Sequence, residues 1–235
     1  MTTEIKSKPV ELAPWTKWLG TPNYTSGGIP IYTPAEIYFD TSVHIVSLLW
    51  VAQASWYLFT LNPNLPIPPN IIIYLITMIW MFCTSFAYNV IGCGWHYKAE
   101  LLRHLDHAAI YLYIAGCYTA LLGLNSSILY IIWPVCLLAG FLKIRYERQY
   151  EIPCMILLLV LGLFPLYALR NNPPVCKQLG LIIGCYAIGA TFYLNNYIQG
   201  AMAFWHIFVL IGTVLFWKLV YNQQSESKNT ICKIE

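Results

Sequence analysis

The chain has 235 residues, of which 58% are hydrophobic and only 10% charged, with a formal net charge of +3. Average soluble domains carry roughly 25% charged residues, so a polar shell cannot be assembled from this composition and lipid must be the solvent for much of the surface. The small positive balance, with no basic tract, gives no footing for nucleic-acid binding.

In chain order, the first 30 residues contain Lys, Pro and Gly but lack the short apolar region of a cleavable signal peptide. The first membrane helix is therefore expected to act as the insertion signal. Thr33-Pro34-Ala35-Glu36 has the form of a capping box with Pro at the first helical position, so that helix is expected to begin well before its apolar run. A helix needs about 20 apolar residues to cross the hydrocarbon core. Such runs lie at about 41–61, 70–92, 106–124, 127–144, 152–169, 176–196 and 200–221, the fifth being the shortest. The run from Asn62 to Pro69 closes the first span, and Asn171-Asn172-Pro173-Pro174 separates the fifth from the sixth. The expected fold is all-α, an integral membrane bundle of seven transmembrane helices. Residues 1–32 form an N-terminal tail, 33–221 the transmembrane domain and 222–235 a polar C-terminal tail.

Lys and Arg set orientation. Eight fall on the side of the N-terminus and five on the other, which favours a cytoplasmic N-terminus and an external or lumenal C-terminus. Most of the eight cysteines lie inside apolar runs and read as small hydrophobes. Cys176 and Cys232 fall on the same aqueous side, where a bridge between them is conceivable. Asn125-Ser126-Ser127 is a glycosylation sequon in a loop too short to give it weight.

Ionisable residues inside a bilayer cost several kcal/mol unless they face a cavity or a partner. Glu36, Asp40 and His44 are spaced four apart on one helical face. They read either as a hydrated first turn or as a polar stripe facing the interior. On the expected topology, Ser85 and Asn89 at the end of the second span, Asp106 at the start of the third, and Met202 and His206 near the start of the seventh share one depth in the cytoplasmic leaflet. Three helices would thus contribute to a common site.

The residues of that site resemble a known family. Ser85-Phe86-Ala87-Tyr88-Asn89, then Leu105-Asp106-His107-Ala108-Ala109-Ile110, then Ile114-Ala115-Gly116-Cys117-Tyr118-Thr119, are similar to the central block of the hemolysin III / progestin and adiponectin receptor (PAQR) family. Glu36 to His44 resembles that family's opening Glu, Asn, Thr-His block, with Asp40 at the Asn, and Phe204 to Leu210 its closing His-x-x-x-His block. The resemblance extends over Glu36 to Tyr221. It implies seven helices, a cytoplasmic N-terminus and a zinc ion held by one His of the second helix and two of the seventh, with the Asp of the third helix near its bound water. The family is discussed as receptors or signalling sensors, as relatives of ceramidase-type lipid hydrolases and, in some bacterial members, as cytolysins.

This chain departs from the pattern at the metal. Asn89 and Met202 replace two of the three histidines, and His206 alone is kept. An amide oxygen is a poor zinc ligand and a thioether favours softer ions, so the resemblance implies a remnant site without zinc unless His44 replaces a lost ligand. Ser85 with Asp106 and His206 has the composition of a nucleophile with acid and base. Asp106, Asn89 and His206 are otherwise expected to form a hydrogen-bonded knot between helices. The leading expectation is a receptor, sensor or membrane-homeostasis protein with lipids, and a lipid-like small ligand, as partners. A zinc- or serine-dependent lipid amidase and a pore-forming cytolysin are the alternatives.

Overall fold

A computed structural model describes residues 23–24, 30–60, 67–92, 98–146, 151–195 and 198–231. Most of the expected N-terminal tail, and Cys232 with its conceivable bridge to Cys176, lie outside the described residues. A two-residue antiparallel ladder, β1 (Asn23–Tyr24) with β2 (Pro30–Ile31), precedes the bundle. The helices are α1 (Pro34–Thr60), α2 (Pro69–Phe86, continued by a π-helical turn Ala87–Gly92), α3 (Ala99–Leu122), α4 (Leu129–Tyr146), α5 (Glu151–Ala168), α6 (Pro173–Leu194) and α7 (Ala201–Ile231).

The capping box forms as expected. Thr33 N–H donates to Glu36 Oε2 at 2.9 Å, and Glu36 N–H donates to Thr33 Oγ1 at 3.3 Å. Prolines open α1, α2 and α6, where the missing N–H costs nothing. Helices run beyond several of the expected apolar boundaries, because backbone hydrogen bonding continues through polar residues at the interface. Thus α3 begins at Ala99 rather than at Asp106, which places Asp106 two turns inside. Likewise α7 stays helical through Ile231, across the polar residues after 221.

Six of these helices are long and apolar enough to cross a membrane, and α5 contributes the shorter apolar stretch Ile156–Ala168. The seam between α1 and α7 settles whether α5 crosses too. It is tied at three levels: Gly200 N–H to Glu36 Oε1 at 3.1 Å, His206 Nδ1 to Asp40 Oδ1 at 2.7 Å, and Trp217 Nε1 to the Ala54 carbonyl at 3.1 Å. Residue numbers rise together along both helices, so α1 and α7 are parallel and start on the same side. An even number of crossings must separate the two starts, and α1–α4 and α6 supply five. The sixth is α5.

Many large apolar side chains are exposed on the outer surface, as expected when lipid is the solvent. On α1, Leu49 and Trp56 are each 68% exposed, whereas His44, Ser47, Val51 and Ala54 are buried. The central helix is α3, packing on one side into a cluster with α1, α2, α6 and α7 and on the other into a cluster with α4 and α5. Interhelical hydrogen bonds reinforce the second cluster, with Tyr118 Oη donating to the Leu161 carbonyl at 2.6 Å and Trp133 Nε1 to Thr119 Oγ1 at 3.0 Å.

Small residues permit these approaches. A Cβ on Gly116 would collide with the Thr77 side chain of α2, whereas one on Gly184 of α6 would meet nothing within 4 Å. Gly116→Ala is expected to destabilise the protein by about 1–3 kcal/mol through overpacking, read as a lowered melting temperature in detergent. Adding Thr77→Ala should restore most of the loss; a double variant no better than the single one would show that the glycine acts elsewhere.

Candidate functional site

The site is built around α1. Of the Glu36, Asp40, His44 stripe, the last two face the interior while Glu36 stays partly exposed in the capping box: His44 is 3% exposed, and the Asp40 carboxylate, at 13%, reaches across to α7. His206 Nδ1 donates to Asp40 Oδ1 at 2.7 Å. His44 Nδ1 lies 2.9 Å from the Asp40 backbone carbonyl and 3.6 Å from Asp40 Oδ1. A carbonyl can only accept, so Nδ1 of His44 carries the proton. In the neutral ring Nε2 is then left with its lone pair, facing Ser85 Oγ of α2 at 3.2 Å. The two imidazoles meet edge to face with centroids 4.4 Å apart.

Asn89 lies in the π-helical turn. Its amide N–H bonds back to the Ser85 carbonyl at 3.0 Å and to Ser85 Oγ at 3.4 Å. Its Oδ1 is buried without a hydrogen-bond partner, which in a membrane interior leaves an acceptor uncompensated at a cost of about 1–3 kcal/mol. Single π-helical turns recur at functional positions, and here the turn carries the side chain whose Oδ1 lacks a partner. Asp106 of α3 is buried beside Ser85, within electrostatic reach of His206 and Asp40. A small opening lined by Tyr32, Glu36, Asp40, Asn89, Gly200 and Met202 lies between the starts of α1 and α7.

The residues singled out in the sequence therefore converge, but through different contacts. The expected knot of Asp106, Asn89 and His206 is not the pattern formed: His206 bonds Asp40, and Asn89 bonds Ser85. The imidazole facing Ser85 is that of His44, not that of His206. Asp40 is the residue the sequence reading undervalued. Its signal was a carboxylate standing where the resembling family has an amide, four residues before a histidine, on a face where a membrane interior should not tolerate a lone charge.

The donor set of the resembling family does not fit zinc in this chain. Asn89 offers an amide and Met202 a thioether beside His206, a combination unsuited to a borderline divalent ion. His44, Asp40 and His206 do form a group, with one donor atom from each lying within 4.8 Å of the others. His104 and His107 both lie in α3, on the helix that carries Asp106, and neither belongs to that group.

A helical multi-pass membrane protein with a polar site enclosed by α1, α2, α3 and α7 is thus defined. A family model described as haemolysin-III related matches residues 38–217, and the chain belongs to that family. It is 27% identical over 195 residues to the Hemolysin-3 homolog of Bacillus subtilis (strain 168), covering 78% of this chain and 92% of that one. It is 32% identical over 157 residues to Hemolysin-3 of Bacillus cereus, covering 61% and 69% respectively.

Asp40→Leu is expected to destabilise the bundle by several kcal/mol, since removing one partner of a buried pair leaves His206 uncompensated. Tyr130→Leu, at a site 82% exposed, should shift the melting temperature little. Equal shifts in the two variants would mean that the Asp40–His206 contact carries no stability.

Proposed function

We propose that this protein is a sensor or membrane-homeostasis member of the haemolysin-III-related family that takes a lipid-derived ligand with a polar head into the site between α1 and α7, with its N-terminus in the cytoplasm. The observation carrying this reading is the buried, unpartnered Oδ1 of Asn89 beside an opening lined by Asp40 and Met202. A polar acceptor, a carboxylate and an apolar thioether around one entrance suit a head that donates hydrogen bonds and a chain that remains in lipid. The positions at which the family would hold zinc, Asn89 and Met202 with His206, carry no ion in this reading. Ser85 and Asp106 then serve as ligand-contacting groups rather than as a nucleophile and acid.

A photoreactive single-chain lipid should label peptides from the starts of α1 and α7 in purified protein, and Met202→Trp should cut that labelling severalfold by filling the entrance. Labelling spread over the lipid-facing surface and unaffected by Met202→Trp would overturn the reading. For orientation, a protease site placed before Lys6 should be protected in sealed right-side-out cells and cut in inverted vesicles; the reverse pattern would reverse the topology.

The names of the two Bacillus relatives favour a second reading, membrane permeabilisation. Release of a small dye from liposomes containing the protein, absent with an unrelated seven-helix protein, would support it in place of the sensor.

A further inference from the structure

We propose that a divalent transition ion of the zinc type binds to Asp40, His44 and His206, a site displaced from the family's metal position onto α1 and α7. The displacement follows from the donors present. Two of the imidazoles the family's site needs are absent here, at Asn89 and Met202. The same chain places a carboxylate, Asp40, against the one imidazole it keeps, and a second imidazole, His44, one helical turn further along α1.

Two imidazoles and one carboxylate form a recurrent ligand set for borderline divalent ions, with remaining positions open to water or substrate. At bond lengths of about 2.0–2.1 Å, the donor atoms of a tetrahedral site stand about 3.3 Å apart. The two distances from Asp40 Oδ1, 2.7 Å to His206 Nδ1 and 3.6 Å to His44 Nδ1, bracket that value. The donor atoms of all three residues lie within 4.8 Å of one another, so rotation of the two imidazoles toward a shared centre converts one arrangement into the other. Coordination through His44 Nδ1 displaces its proton and gives up the bond to the Asp40 carbonyl. Nε2 then carries the N–H and donates it to Ser85 Oγ, already 3.2 Å away, which is the outer bond that fixes a metal-binding imidazole.

Charge and polarity agree. An anionic ligand offsets part of the charge of an ion held in a low-dielectric interior, where neutral donors alone would leave it bare. Asn89 Oδ1, buried and without a partner, is an acceptor beside the site for water or ligand on an open coordination position. The proposal is independent of which lipid enters the opening, so a failure of lipid labelling leaves it standing, and the converse also holds.

The test is metal content and the spectrum of the cobalt(II) form of the full-length protein. Protein purified without chelator and dialysed against micromolar zinc should carry about one ion per chain. His44→Ala and His206→Ala should each lower zinc affinity at least tenfold, whereas Met202→Leu should retain the stoichiometry. Since an alanine variant can fail to fold, His44→Cys provides a second measurement. Loaded with cobalt(II), it should gain a near-ultraviolet thiolate-to-metal absorption that the parent protein lacks. Absence of stoichiometric zinc in the parent protein would overturn the proposal. So would loss of the ion in Met202→Leu, or a thiolate band from Met202→Cys but not from His44→Cys, either of which would place the ion at the family's own position.

Discussion

A carboxylate largely withdrawn from water needs partners within the protein, and the position of Asp40 follows from that constraint. Its Oδ1 accepts from His206 of α7, while its own backbone carbonyl accepts from His44 one turn along α1. Both histidines are buried, so neither can exchange its partner for solvent. Meeting these demands together fixes the rotation of α1 and of α7 about their axes and their relative depth. The Glu36–Gly200 contact below and the Trp217–Ala54 contact above hold the same register. The parallel seam that results closes the ring of helices and requires α5, the shortest apolar segment, to traverse the bilayer.

Around that seam the bundle is asymmetric. One hydrophobic cluster joins α3 to α1, α2, α6 and α7, and the other joins it to α4 and α5. The polar site belongs to the first group only, through Asp40, His44, Ser85, Asn89, Asp106 and His206. The α4–α5 side has interhelical hydrogen bonds through Tyr118 and Trp133. The polar side chains of the site thus come from α1, α2, α3 and α7, while α4 and α5 pack on the other side of α3.

Much of this could be read from the chain. Apolar runs located all seven helices because hydrocarbon thickness sets a length that few other constraints imitate. The capping box at Thr33 and Glu36 was legible because its geometry is local. The shared depth of Ser85, Asn89, Asp106, Met202 and His206 followed from counting residues along antiparallel spans. Helix ends were less legible: Ala99 to Asp106 is polar yet helical, because interfacial water and backbone bonding together sustain the turn. Individual contacts were not legible at all. Whether His206 would meet Asn89, Asp106 or Asp40 depends on helix rotation of a few tens of degrees, and the π-helical turn at Ala87–Gly92 changes the local rotation of α2 without a sequence signal of its own. The stripe at Asp40 and His44 has the same spacing whether it faces headgroups or the interior, so only packing against α7 decides.

The 31 residues of α7 make a rod about 46 Å long at 1.5 Å per residue, against a hydrocarbon core of about 30 Å. His206 sits near one end of that rod, and the other end emerges from the opposite face of the membrane. The helix that carries His206 is thus longer than the hydrocarbon it has to cross, and it joins the polar site to the polar residues after 221 in one unbroken element.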